Sequence, residues 1–114
     1  METTNKNQVI ELAERPNGIP SKSNFHLKDI DMPEITEGQV LLKNLYISVD
    51  AGMRGFMDKG SNDNTGQKFE IGKPITSRSV AQVIESKSKE FLEGDFVHGR
   101  LAWQKYQSFD ANKL

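Results

Sequence analysis

Residues 39–50 form the longest strand-like run of the chain, rich in Val, Leu and Ile. Within it Leu45, Ile47 and Val49 alternate with Asn44, Tyr46 and Ser48, the period-two pattern of an extended strand. At Asp50 the pattern breaks into a bend hinged by glycine that carries Met53 and Arg54. Shorter runs of the same kind flank it. Residues 8–13, residues 25–32 with a bulge expected near Asp29, a run anchored by Val80, Val83 and Ile84, and residues 96–100 all read as strands. The aromatics Trp103, Tyr106 and Phe109 recur every third residue, and aromatic content tips that segment towards strand. Pro16 and Pro20 flank Asn17-Gly18 and exclude regular structure there, while Pro33, Glu37-Gly38 and Glu93-Gly94-Asp95 mark further turns. The best helix candidate, residues 53–59, is barely two turns long. The pattern predicts an all-β barrel or sandwich with at most short helical turns.

The bulk numbers narrow the function classes. A chain of 114 residues fits one small domain. Fifteen basic against sixteen acidic residues leave a net charge of -1, which offers neither nucleic acid nor an anionic membrane an electrostatic footprint. No apolar run approaches the roughly 20 residues of a membrane span, and the polar start carries no secretory signal. The absence of cysteine removes disulfides, thiol catalysis and thiolate metal sites together. A cytoplasmic protein is the expectation, with residues 1–7 a disordered tail and residues 8–114 the domain. Residues 58–68 contain no apolar side chain and are expected to form a mobile surface loop. Their oxygens do not follow the order of a calcium-binding EF-hand loop.

Several blocks, in order, resemble the N-terminal GroES-like domain of the zinc-independent medium-chain dehydrogenase/reductases, the group that contains the prostaglandin, leukotriene and curcumin reductases. They are Glu14-Arg15-Pro16-Asn17-Gly18-Ile19-Pro20, Phe25-His26-Leu27, Met32-Pro33-Glu34 and the run from Gly38 to Asp50. Further on come Met53-Arg54-Gly55, the run from Val80 to Ser86, Gly94-Asp95-Phe96-Val97 and Trp103-Gln104-Lys105-Tyr106. The resemblance implies a partly open antiparallel β-barrel that walls a substrate cleft. It also implies NADP-dependent reduction of the C=C bond of an α,β-unsaturated ketone or aldehyde by a full-length enzyme. The Rossmann domain that binds NADPH in that group would lie beyond this chain, because none of the nine glycines forms a Gly-x-Gly and no βαβ pattern appears. The 114-residue chain is therefore expected to bind no cofactor and to be inactive alone, with an exposed face that favours self-association into a homo-oligomer. The alternative is a self-standing β-barrel that serves as a binding or assembly module.

The resemblance places seven residues at the substrate cleft: Asp50, Gly52, Met53, Arg54, Leu101, Ala102 and Trp103. Gly52 stands where the group often has a tyrosine, and Ala51 where it has proline, which puts substrate class in question. Each residue also has a structural reading. Asp50 and Arg54 can pair to lock the turn, Met53 can fill the core, and Trp103 can close the barrel. Zinc is not expected. The related alcohol dehydrogenases use a cysteine near this turn and a Gly-His-Glu where this chain has Thr76-Ser77-Arg78, and His26 and His98 lie on different strands.

Overall fold

The computed structural model describes residues 6–58 and 69–114. Among the described residues six strands form two antiparallel sheets. β1 (Lys6–Leu12) pairs with β2 (Phe25–Asp31), while β3 (Gln39–Ile47), β4 (Thr76–Ser86), β5 (Phe96–Ala102) and β6 (Tyr106–Asp110) lie in the order β5-β4-β3-β6. The predicted all-β architecture is what is observed, with only 3-10 helices between the strands: Lys22–Asn24, Ala51–Met57 and Ala111–Lys113 among the described residues.

Most strands fall where alternation puts them, and the departures have physical reasons. β1 starts at Lys6, two residues before the predicted strand, because Asn7 is not frayed but fully buried. The rest of the expected tail, residues 1–5, and residues 59–68 of the expected loop lie outside the described residues. The expected bulge at Asp29 is absent, since β1 and β2 pair without interruption from Lys6↔Asp31 to Leu12↔Phe25. The slip in apolar spacing is a change of face. The register puts Phe25 and Leu27 beside Leu12 and Ile10, and Ile30 beside Asn7. The irregularities lie in the β3–β4 pair instead: Ile84 of β4 is the extra residue opposite Leu41 and Leu42, and Leu45 of β3 is the extra one between Asn44 and Tyr46. The longest strand is β4, not the run ending at Asp50, because β3 stops at Ile47. The segment from Trp103 is a strand only from Tyr106 onward; the three residues before it turn a corner.

Alternation also builds the core. Val40 and Leu42 of β3, Ala81 and Val83 of β4, and Val97 and Leu101 of β5 point to one face and pack with Ala111. A second cluster joins Leu12, Met53, Met57, Phe69 and Ile75, flanked by Ile10, Phe25, Phe56 and Trp103. Phe69 meets Phe56 edge to face at 5.7 Å, and the Phe69 N–H donates to the Phe56 carbonyl at 2.8 Å.

The two sheets are joined at the corner between β5 and β6. There the Ile10 N–H donates to the Trp103 carbonyl at 2.9 Å and the Lys105 N–H to the Gln8 carbonyl at 2.9 Å. The Asn7 side chain extends this seam. Its Nδ2 donates to the Tyr106 carbonyl at 2.6 Å and its Oδ1 accepts from the Tyr106 N–H at 2.7 Å. One side-chain amide thus replaces a peptide group in the ladder. Replacing Asn7 with Ala would bury both Tyr106 backbone groups without partners. The expected loss is about 2–4 kcal/mol, read from the urea midpoint at unchanged m.

At the other end of the sheet, β3 and β6 are tied by Gln39, whose Nε2 donates to Asp110 Oδ1 at 3.0 Å. That bond holds the Asp110 carboxyl below its usual range, with Lys113 adding a smaller pull and burial opposing. Because the folded value is the lower one, the stabilisation is present above the ordinary aspartate pKa of about 3.9 and fades as pH falls through the folded value. Asp110→Asn is expected to flatten the acid limb of a melting-temperature profile against pH, and an unchanged limb would contradict this account.

Candidate functional site

Where β3 leaves the sheet, three bonds fix the path of the chain. The Ser48 N–H donates to the Arg78 carbonyl at 2.8 Å, the Ser48 hydroxyl donates to Asp50 Oδ1 at 2.9 Å, and the Met53 N–H donates to the Asp50 carbonyl at 3.0 Å. The Asp50 N–H meets the Met53 sulfur at 3.3 Å. The bend then becomes the 3-10 helix Ala51–Met57. Its side chains separate by chemistry. Met53 and Met57 enter the core, while Asp50 and Gly52 stay exposed.

Arg54 does not pair with Asp50. It reaches Asp58 Oδ1 at 2.7 Å, one helical turn along, and its Nε and Nη2 donate to the carbonyls of Gly18 at 2.8 Å and Pro16 at 3.2 Å. The guanidinium therefore staples the bend to the Pro16–Gly18 loop, a use that intervals within the bend could not reveal. Arg15 acts similarly, donating to the carbonyls of Met57 at 2.8 Å and Phe69 at 3.3 Å.

On the other side of Ile47 lies an apolar hollow of about 210 Å³, lined by Ile10, Leu27, Asn44, Ile47, Trp103 and Lys105 among others. The Trp103 ring packs against the second core cluster, and its Nε1 donates to the Ser77 hydroxyl at 2.8 Å, which sets the ring as a fixed wall. Asn44 is the polar exception on the core-facing face of β3. Its Nδ2 donates to the carbonyls of Ala102 at 2.9 Å and Gln104 at 2.8 Å, which leaves Oδ1 buried without a partner among the described residues.

Of the seven residues expected at the cleft, Trp103 lines this hollow. Asp50, Gly52 and Arg54 cluster on the bend that follows Ile47, and Ala102 sits at the corner with its carbonyl held by Asn44 and Gln107. Met53 and Leu101 are packed in the two core clusters at 4% and 1% exposure, behind the wall rather than on it. Ile10, Leu27, Asn44 and Ile47 were not singled out from the sequence. An asparagine in register with Val40 and Leu42 was the one available signal. Among the described residues no three His, Asp or Glu side chains converge as metal ligands do.

Residues 8–114 match the family model described as the N-terminal domain of oxidoreductase. The chain is 38% identical over 108 residues to a 2-alkenal reductase (NADP(+)-dependent) of Nicotiana tabacum, covering 92% of this chain and 31% of that protein. It is 37% identical over 103 residues to an NADPH-dependent curcumin reductase of Escherichia coli, covering 90% and 29%. The crystal structure of CurA from Vibrio vulnificus superposes with a TM-score of 0.86 at 34% identity, covering 95% of this chain and 31% of that one. The chain thus spans about a third of the length of the proteins it matches.

Gly52 has ordinary backbone geometry, and an added Cβ would meet nothing within 4 Å. Gly52→Ala is therefore expected to stabilise the fold by about 0.4–1 kcal/mol by restricting the unfolded chain. Urea unfolding checks this, and a loss of stability would mean that the bend needs the glycine.

Proposed function

This chain belongs to the family of oxidoreductase N-terminal domains, and from that premise we propose that it is the substrate-side lobe of an NADP-dependent enzyme reducing the C=C bond of α,β-unsaturated ketones and aldehydes. The observation that carries the proposal is the family match along residues 8–114, made alongside relatives named for curcumin and 2-alkenal reduction.

In this reading the hollow beside Trp103 takes the carbon skeleton of the substrate, and the bend after Ile47 forms its polar rim. Asp50, Gly52, Arg54, Ala102 and Trp103 line the cleft, joined by Asn44 and Ile47, with Met53 and Leu101 backing the wall. None of these side chains acts as a nucleophile or proton donor. The lobe contributes shape and orientation, and a fixed apolar wall excludes water from the reacting carbon atoms.

The described residues do not fit the dinucleotide itself. A pyrophosphate is held at a glycine-rich turn opening a helix. Here no two glycines stand two apart in sequence, and the described helices are single 3-10 segments of three to seven residues. We assign the cofactor to the remainder of a longer protein and expect the 114 residues alone to be inactive. A zinc-independent, cytoplasmic enzyme that self-associates is the setting this implies.

The test uses the full-length protein with NADPH and an aromatic enone. The expected product keeps its carbonyl and loses its C=C bond. Trp103→Ala should raise KM for the aromatic enone about tenfold with a smaller change in kcat, as removal of a binding wall does. An alcohol product, or no enone-dependent NADPH oxidation, would overturn the proposal.

A further inference from the structure

The inner face of β4 carries Ser77, Ser79, Ala81 and Val83, all buried. Two serines in place of apolar side chains are unfavourable there unless their hydroxyls find partners. They find different ones. The Ser79 hydroxyl donates to the Ser77 carbonyl at 3.2 Å and stays within its own strand. The Ser77 hydroxyl, on a residue 1% exposed, accepts from Trp103 Nε1 at 2.8 Å. As a donor it makes a long contact of 3.4 Å to the Arg78 carbonyl, so the indole is its principal partner.

Trp103 is the single tryptophan of this chain, and its backbone is held from three strands or their ends. Its N–H donates to the Ile75 carbonyl at 2.7 Å, and its carbonyl accepts from the Ile10 N–H at 2.9 Å. Asn44 Nδ2 holds the carbonyls on either side, those of Ala102 and Gln104. These bonds fix the backbone but leave the side-chain torsions free to choose a rotamer. The second core cluster packs against the ring, yet apolar contact is non-directional. The bond to Ser77 is the directional contact that selects one rotamer. Ser77 itself is not part of the lining of the hollow.

We infer that Ser77 is a positioning residue that sets substrate specificity through Trp103. By holding the indole in one rotamer, it keeps the hollow at a width that takes one flat ring or an unbranched chain. The inference rests on the reading of the hollow as the place of the substrate's carbon skeleton. At about 210 Å³ the hollow lies below the usual range of ligand pockets, so a turn of one indole remakes a large share of its wall. A tryptophan N–H away from water needs an acceptor. Without the Ser77 hydroxyl, rotamers that turn Nε1 towards water are favoured, and the ring leaves the wall.

The experiment uses the full-length protein with NADPH and two enones, benzylideneacetone with one aromatic ring and ethylideneacetone with none. Ser77→Ala is expected to raise KM for benzylideneacetone about fivefold with little change in kcat, and to leave KM for ethylideneacetone within about twofold. Trp103→Phe keeps a ring but has no Nε1, so adding Ser77→Ala to it should change KM no further. Isotopic labelling of tryptophan follows the Trp103 indole N–H by NMR, identified by its loss in Trp103→Phe. Its exchange with solvent should speed up about tenfold in Ser77→Ala. Ser79→Ala removes a buried hydroxyl that does not touch the indole, and should leave both the exchange and the KM values as in the parent. No reduction of benzylideneacetone by the parent would remove the reading of the hollow and the inference with it. Where the parent does reduce it, three results would each overturn the inference and leave that reading standing. They are an unaltered KM in Ser77→Ala, an effect that persists in Trp103→Phe, and an equal effect of Ser79→Ala.

Discussion

The corner between β5 and β6 carries the architecture. A sheet ladder satisfies backbone groups only while strands run side by side, and at this corner they diverge. Three side-chain amides take over. Asn7 pairs with both backbone groups of Tyr106, Asn44 donates to the carbonyls of Ala102 and Gln104, and Gln107 accepts from the Ala102 N–H while donating to its carbonyl. An amide side chain carries the same donor and acceptor as a peptide group but can be delivered from another strand. The two sheets can therefore meet without continuous pairing. The corner brings Trp103 and Gln104 beside Ile10 of β1 and Asn44 of β3, and with them the lining of the hollow.

The seam has a cost. Asn44 commits Nδ2 to two carbonyls, which determines its orientation and leaves Oδ1 buried without a partner among the described residues. An unmet buried acceptor costs on the order of 1–3 kcal/mol. The bulge between Asn44 and Tyr46 is part of the same compromise, because it changes which side chains of β3 face inward beyond that point. After the bulge Ile47 pairs with the buried Ser79 while Tyr46 joins Val80 on the outer face. That change of face puts Ile47 at the hollow and sends the chain into the bend at Asp50.

Legibility followed the range of the forces involved. Strand positions were readable because burial of alternate side chains is a property of a few consecutive residues, and Val40 and Leu42 illustrate it. The bend at Asp50 was readable from its glycines. The Asp50–Arg54 pair that could have locked the turn does not form, because the partners of Arg54 are the Pro16 and Gly18 carbonyls and Asp58. The missing bulge in β2 has a similar origin. Alternation assumes one buried face, and Leu27 lies on a face that opens into the hollow at 60% exposure.

By itself, then, the sequence determined an all-β domain, its strands and turns, and the family to which its ordered blocks belong. Those depend on side-chain periodicity and on glycine and proline, which act locally. Only the tertiary structure decided what the polar side chains do. Asn7 meets a partner 99 residues away, Asn44 meets partners 58 and 60 residues away, and Arg78 faces Arg100 through strand register. A hydrogen bond is won or lost over a few tenths of an ångström, and no local pattern encodes which distant carbonyl will arrive within reach.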